Sequence, residues 1–129
     1  MDQQVIAPPN MFSWNELMTS DVAAAKEFYG KLFGWEMRDE HMSDMVYTLL
    51  LASGEKIGGM MVIPTGGQGM APVWGAYVTV DDVDKQVQRA EQLGAHVLAT
   101  PRDIPGVGRY AVIRDPQGAM LSLITYHRE

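Results

Sequence analysis

The sequence contains the same structural pattern twice, and this repeat restricts what the chain can fold into. In residues 12–35 a strand-like run leads to an aspartate cap at Asp21, an amphipathic helix and a glycine stop at Gly34. Residues 73–95 follow the same order after a cap at Asp82. The apolar residues at helical spacing are Val22, Ala25, Phe28, Tyr29 and Leu32 in the first helix and Val83, Val87, Ala90 and Leu93 in the second.

Each helix is followed by three apolar runs that are typical of strands. These runs are residues 35–38, 45–53 and 56–64 in the first copy and residues 96–101, 109–115 and 119–125 in the second. Each copy therefore reads as a βαβββ unit. We predict a first module over about residues 11–63 and a second over about 73–127, joined by a linker at 64–72 that is rich in Gly and Pro.

A single βαβββ unit would leave a mostly antiparallel sheet with one bare face, so the two units must pair to bury it. A chain of 129 residues that is 47% hydrophobic has room for one core of ordinary size. We therefore predict one domain, residues 1–129, with an α+β fold. In this fold two βαβββ modules form a curled eight-stranded mixed sheet around a cleft, with the helices outside.

The composition argues against several kinds of partner. The net charge is −6, and no basic run could follow a phosphate backbone, so we expect neither nucleic acid nor membrane as a partner. The opening segment lacks a positive region and a long apolar stretch, and we expect a cytoplasmic protein. Cysteine is absent, which fits a reducing compartment and excludes thiolate catalysis and cysteine-ligated metals.

Two motifs in this repeat carry a family resemblance: KEFYGKLFGWEM at residues 26–37 and DPQGAMLSLI at 115–124. Over residues 11–126 the chain resembles the vicinal oxygen chelate superfamily, which includes glyoxalase I, bleomycin-resistance proteins and extradiol dioxygenases. It is most similar to a bacterial branch related to lactoylglutathione lyase. The resemblance implies paired βαβββ modules, a small-molecule ligand and a homodimer.

The resemblance also locates the positions at which metal-dependent members bind their ion through His, Gln or Glu. These positions lie on the first and last strand of each module, and they align here with Trp14, Gly58 or Gly59, Gly75 and Ser122. Glycine has no donor side chain, an indole N–H does not coordinate, and a neutral serine is a weak ligand. We therefore predict no metal and no other cofactor.

Glu16 is the candidate catalytic residue. Because side chains alternate along a strand, Trp14 and Glu16 are predicted to face the cleft while Leu17 faces the helix. A carboxylate in an apolar cleft would be partly desolvated, which suits a general base, and the indole of Trp14 would offer a stacking surface. The alternative is a glutamate at the rim of the sheet or in an ion pair.

Further candidates would bind the substrate. Tyr77 takes the position of the proposed base in the second copy, where it either hydrogen-bonds a ligand or lines the core, and Trp74 offers a second stacking surface. Ser122 is predicted on the cleft side of the last strand. Gly58 and Gly59 interrupt an apolar strand, which indicates close approach of a ligand or another backbone, or a bulge.

Two functions stay open at this point. One is a lyase or isomerase of a small carbonyl compound with Glu16 as base; the other is a non-catalytic binder of a small molecule or antibiotic, like the bleomycin-resistance proteins. The negative net charge favours a neutral or cationic ligand. Arg109, predicted in a loop before a strand, either reaches an anionic group of the ligand or is an ordinary surface arginine.

Overall fold

The computed structural model describes residues 8–42, 45–63, 69–104 and 106–127. The elements in chain order are β1 (Phe12–Thr19), α1 (Val22–Phe33), β2 (Glu36–Met42), β3 (Met45–Ala52), β4 (Glu55–Val62), β5 (Val73–Thr79), α2 (Val83–Gln92), β6 (His96–Ile104), β7 (Gly108–Arg114) and β8 (Met120–Tyr126). This order is βαβββ twice over. The α+β class and the eight-stranded mixed sheet are confirmed; the cleft stays a prediction.

The strands of each unit pair in the same way. In the first unit the order is β2-β3-β4-β1, with β3 antiparallel to both neighbours and β1 parallel to β4. In the second unit the order β6-β7-β8-β5 repeats this arrangement, and β5 is parallel to β8. The repeat seen in the sequence is therefore also a repeat of strand pairing.

Two compact units can be distinguished. The first comprises residues 14–75, and the second comprises the residues from 76 onward together with those up to 13. Backbone hydrogen bonds explain why the segment before β1 belongs to the second unit. The amide of Asn10 donates to the carbonyl of Thr79 at 2.6 Å, and the amide of Thr79 donates to the carbonyl of Met11 at 2.9 Å. The side chain of Ser13 lies 3.1 Å from the hydroxyl of Tyr126.

Both helices begin at the predicted aspartates. The carboxylate of Asp21 accepts the amide of Ala24 at 3.0 Å, and that of Asp82 accepts the amide of Lys85 at 3.2 Å. Helix α1 ends at Gly34, whose φ of 73° is the left-handed conformation that glycine adopts without strain. Neither helix of the described ranges has the length and apolar character required to cross a membrane.

Each helix packs on one face of its own unit. In the first unit Leu17, Leu50 and Met60 are buried beneath α1, and the partly buried residues around them are Val22, Ala25, Tyr29, Trp35, Met37 and Ile57. In the second unit the buried residues are Val80, Val83, Val87, Ala111, Ile113 and Leu123. Leu17 therefore faces the helix, as strand alternation predicts.

The apolar stripe predicted for each helix is wider than the set of residues that the structure buries. Phe28 and Leu32 of α1 are each 57% exposed, and Leu93 lies beyond the end of α2 and is 62% exposed. A single helix on a sheet buries only the narrow line of residues that points directly at the strands. Periodicity marks the apolar residues, but it does not tell which of them reach the sheet.

The edge strand β2 extends to Met42, beyond the apolar run at residues 35–38. It pairs with β3 along its whole length, from Glu36 opposite Leu51 to Met42 opposite Met45. Residues 39–41 of this extension are charged or polar, a pattern that hydropathy assigns to loops but that an edge strand tolerates.

The two adjacent glycines of β4 make room for different neighbours. A Cβ atom at Gly58 would lie 2.7 Å from the backbone oxygen of Asn15, so the backbone of β1 occupies that space. A Cβ atom at Gly59 would overlap the phenol of Tyr47 on β3. The register of β4 against β3 also shifts next to Gly58, so a bulge accompanies the close approach.

Asp39 connects the sheet to α1 in the first unit. The ammonium of Lys26 lies 3.0 Å from its carboxylate, and the buried hydroxyl of Thr48 donates to the same carboxylate at 2.8 Å. The hydrogen bond from Lys26, followed by that from Thr48, lowers the pKa of the Asp39 carboxyl below its ordinary value. Asp39 therefore gives the buried hydroxyl of Thr48 a hydrogen-bond partner.

We predict that Gly59→Ala destabilises the protein by about 1–3 kcal/mol, because the new methyl group collides with a tyrosine ring that has only two torsions with which to move. Urea denaturation measures this change. In a Tyr47→Ala background the same substitution should cost less than half as much, and an equal cost in both backgrounds would show that the ring is not the obstacle.

Gly30→Ala is the matched control for that substitution. A Cβ atom at Gly30 would have an ordinary contact of 3.8 Å with Met37, and Gly30 lies inside α1. Removing a glycine from a helix interior should stabilise the protein by about 0.5–1 kcal/mol. The two glycine-to-alanine changes should thus have opposite signs.

We predict that Asp39→Asn lowers stability near neutral pH by about 0.2–1 kcal/mol, because asparagine still accepts from Thr48 but has no charge for Lys26. The folded-state pKa of Asp39 is depressed, so its contribution is complete above the unfolded value of about 3.9 and is lost as the pH falls through the folded value. Urea denaturation over this range should show the difference from wild type disappear in acid. Lys26→Met should give the same profile, and a difference independent of pH would contradict the prediction.

Candidate functional site

Four residues of the first unit share the sheet face that points away from α1. Glu16 on β1 pairs with Gly59 on β4, and Gly59 pairs with Leu49 on β3. Residues two apart on a strand point to the same side, so Trp14 lies on the face of Glu16 and Tyr47 on the face of Leu49. We call Trp14, Glu16, Tyr47 and Gly59 the β1–β4 cluster.

A hydrogen bond fixes the two aromatic members of the β1–β4 cluster. The indole N–H of Trp14 donates to the hydroxyl of Tyr47 at 2.8 Å. That hydroxyl lies over Gly59, in the space that a side chain on β4 would otherwise take. Both rings are half-buried.

Glu16 is the buried acid of this cluster. Only 4% of its surface is exposed, and its strand partner is the glycine beneath the Tyr47 hydroxyl. Its neighbour Leu17 belongs to the core under α1, so the carboxyl group lies on the opposite side of the sheet from the helix. The sheet therefore places a carboxyl group and a phenol on one face, next to an indole.

The second unit has a corresponding pair without an acid. Tyr77 and Ser122 are strand partners on β5 and β8, and both are buried, at 8% and 4% exposure. Thr79 lies on the same face, and its buried hydroxyl has no hydrogen-bond partner in the described part of the chain. Leu123, between these partners, faces the core under α2. This face offers hydroxyl groups that donate and accept hydrogen bonds.

The equivalence of the two pairs decides between the neighbouring glycines. Glu16 opposite Gly59 corresponds to Tyr77 opposite Ser122, so Gly59 is the counterpart of Ser122. Gly58 is not part of this pair, and a Cβ atom there would meet the backbone of the neighbouring strand β1.

Trp74 lies apart from the β1–β4 cluster. Its indole N–H donates to the hydroxyl of Tyr29 at 3.1 Å, and its ring meets those of Tyr29 and Trp35 edge to face. Tyr29 is a residue of α1, so Trp74 belongs to the aromatic group on the helix side of the first unit. The structure does not bring it together with Glu16.

The four positions that correspond to metal ligands do not fit a metal ion. Trp14 presents an N–H that is already bonded to Tyr47, Gly59 and Gly75 have no side-chain donor, and Ser122 has a neutral hydroxyl. In the ranges that the structure describes, no group of three or more His, Cys, Asp or Glu residues could hold a metal ion. We therefore derive no chemical step through a metal.

Arg109 lies in β7, not in a loop, and its guanidinium is engaged by its own chain. It contacts Asp84 at 2.8 Å and Asp103 at 3.2 Å. The hydrogen bond from Arg109 lowers the pKa of the Asp84 carboxyl, and the two carboxylates raise the pKa of Arg109. Arg109, which the sequence suggested as a partner for an anionic group of a ligand, is thus paired with two aspartates of its own chain.

Sequence reasoning missed Tyr47. Alternation along β3 places it on the same face as Leu49, but only the register of β3 against β4 shows that its ring lies over Gly59. The adjacent glycines were the available signal, since they showed that something approaches β4 closely.

Comparison with known proteins gives a consistent family assignment. The profile of the Glyoxalase/Bleomycin resistance protein/Dioxygenase superfamily matches residues 11–123. The chain is 38% identical over 114 residues to a Mycobacterium tuberculosis protein named provisionally as the glyoxylase CFP32, covering 86% of this chain and 44% of that protein. It is 32% identical over 130 residues to the anthracycline biosynthesis protein DnrV of Streptomyces peucetius, covering 89% of this chain and 46% of that protein.

The fold comparison agrees with the sequence comparison. The crystal structure of methylmalonyl-CoA epimerase from Mycobacterium tuberculosis superposes with a TM-score of 0.65 at 18% identity, covering 96% of this chain and 94% of that chain. The chain spans less than half the length of the two curated relatives it matches. The chain belongs to the glyoxalase, bleomycin resistance protein and dioxygenase superfamily.

Proposed function

We propose that the β1–β4 cluster is a small-molecule site at which Glu16 acts as the base of a lyase or isomerase reaction on a small carbonyl compound. One observation carries this proposal: Glu16 is a buried carboxyl group placed beside an ordered indole–phenol pair, on the sheet face away from the helix. Buried acids with a defined polar neighbour are typical of functional sites.

The proposed reaction needs no co-reactant. The carboxylate of Glu16 removes a proton from the carbon next to a carbonyl group, and the electron pair of that C–H bond moves toward the carbonyl oxygen to give an enolate. The same acid returns the proton to carbon, on the other face or at the adjacent position. One C–H bond is broken and one C–H bond is formed, so the product is an isomer of the substrate.

The comparisons support this class of reaction. One relative is named as a glyoxylase, and one structure of similar fold is an epimerase. In our proposal Trp14 stacks on the substrate. The net charge of −6 favours a neutral or cationic substrate. Trp74, Gly58 and Gly59 have no direct role in this form of the site.

A second candidate function is non-catalytic binding of a flat small molecule. The half-buried rings of Trp14 and Tyr47 favour it, since aromatic surfaces bind planar ligands without any need for a base. The relative named for anthracycline biosynthesis is consistent with this alternative. Bleomycin-resistance-like sequestration would belong to the same class.

We also propose that the protein acts in the cytoplasm as a homodimer. The absence of cysteine is consistent with that compartment. Phe28, Leu32 and Phe33 of α1 are each 57% exposed, and an apolar helix face of this kind would be covered in a dimer. Light scattering on the purified protein measures the mass, and a monomer at micromolar concentration would contradict the dimer.

We predict that Glu16→Gln slows proton exchange at the substrate carbon by about 10²–10⁴-fold, since that factor is typical of a positioned base. The measurement is proton NMR in deuterated water. The compounds are dihydroxyacetone, the hemithioacetals of methylglyoxal with glutathione and with mercaptoethanol, and methylmalonyl-CoA.

Glu55→Gln is the matched control, because it makes the same change of charge at an exposed residue where β4 begins. It should leave the exchange rate unchanged. Exchange that persists in Glu16→Gln would refute the role of Glu16. If wild type exchanges none of these compounds, isothermal titration with planar aromatic ligands tests the binding alternative.

A further inference from the structure

We propose that Met18 and Met61 bind an aromatic ring that the substrate carries next to its carbonyl group. This inference rests on the proposed function and names its substrate class, which is neutral aryl carbonyl compounds and not phosphorylated or sugar-like ones. The two methionines extend the β1–β4 cluster along the strands. They lie on the side of Glu16 opposite to Trp14.

The strand register places the two methionines side by side next to the carboxyl group. Met18 on β1 pairs with Met61 on β4, two residues beyond the pair of Glu16 and Gly59. Residues two apart on a strand share a face, so both methionines lie on the face of Glu16, away from α1. Neighbouring strands are about 4.8 Å apart, so the two side chains together cover an area comparable with one aromatic ring.

Neither methionine belongs to a hydrophobic core. Met60, the sequence neighbour of Met61, is fully buried with Leu17 and Leu50 under α1. Met18 and Met61 are only half-buried, and among the described residues they are part of neither hydrophobic cluster. Core packing therefore does not account for these two apolar side chains, and each keeps a part of its surface for a ligand.

The chemistry of this surface selects an uncharged aromatic group. A methionine side chain is flexible, and its polarizable sulfur makes favourable contacts with aromatic rings. Glu16 is the only charged residue among Trp14, Glu16, Met18, Gly59 and Met61. A phosphate or carboxylate group bound at the methionines would thus meet no cation of this set and would lie beside an acid.

The substrate then has a defined orientation. Its reacting carbon lies at Glu16, its ring lies on Met18 and Met61, and the remainder of the molecule extends toward Trp14. Trp14 and Met18 are four residues apart on β1, so this surface is about 13 Å long. That length accommodates one group on each side of the reacting carbon.

The test is an NMR titration of the wild-type chain with acetophenone, a neutral aryl ketone. The methionine methyl groups carry an isotope label, and single variants (Met18→Leu, Met61→Leu and Met37→Leu) assign their signals. We expect the signals of Met18 and Met61 to shift together with one common affinity. Met37 is the internal control, since it is also half-buried but packs on the core under α1, and its signal should not move.

Cyclohexyl methyl ketone is the matched ligand, because it has the same carbonyl group beside a ring that is not aromatic. Wild type should bind acetophenone about twofold to tenfold more tightly, which is the range for a contact between sulfur and an aromatic ring. The double variant Met18→Leu/Met61→Leu should lose this preference, since leucine keeps the apolar volume but has no sulfur. Met37→Leu should keep it.

Three results would overturn the inference: no binding of acetophenone by wild type, equal shifts at Met37 and at the two methionines, or a preference that survives in the double variant. If the double variant loses its cooperative melting transition, each single variant must still reduce the preference. The titration needs no turnover, so it can fail while loss of proton exchange in Glu16→Gln upholds the proposed function. Conversely, exchange that persists in Glu16→Gln removes the base but leaves the methionine site standing.

Discussion

The parallel pairing of the first and last strand of each unit is the constraint on which the rest of the structure depends. Two strands joined through a helix and two further strands become neighbours, and their register brings residues far apart in sequence side by side. Glu16 meets Gly59 in one unit, and Tyr77 meets Ser122 in the other. The helix of each unit covers one face of this pairing, so polar residues collect on the other face.

The two units place different side chains in this shared geometry. The first places an acid, a phenol and an indole around a glycine, while the second presents hydroxyl groups alone. This difference follows from side chains at equivalent positions and not from any difference in backbone pairing. A duplicated scaffold can in this way carry different polar groups on the equivalent strands of its two halves.

The fold could be predicted much further than the site. Caps at Asp21 and Asp82 and alternation along β1 depend on neighbours in sequence, and the structure agrees with both. The position of the Tyr47 ring over Gly59 depends on the register between β3 and β4, which a bulge shifts, so alternation alone does not reveal it. Similarly, the apolar pattern of α1 includes Phe28, although the sheet reaches only the narrower line of residues beside it.

The overlap between a Cβ atom at position 59 and the phenol of Tyr47 also couples the substitutions that these two positions accept. A larger side chain at position 59 requires that the ring of Tyr47 move or that Tyr47 be replaced as well. A change at either position therefore alters which side chains the other can accommodate, so the two positions form one packing unit although they lie on different strands.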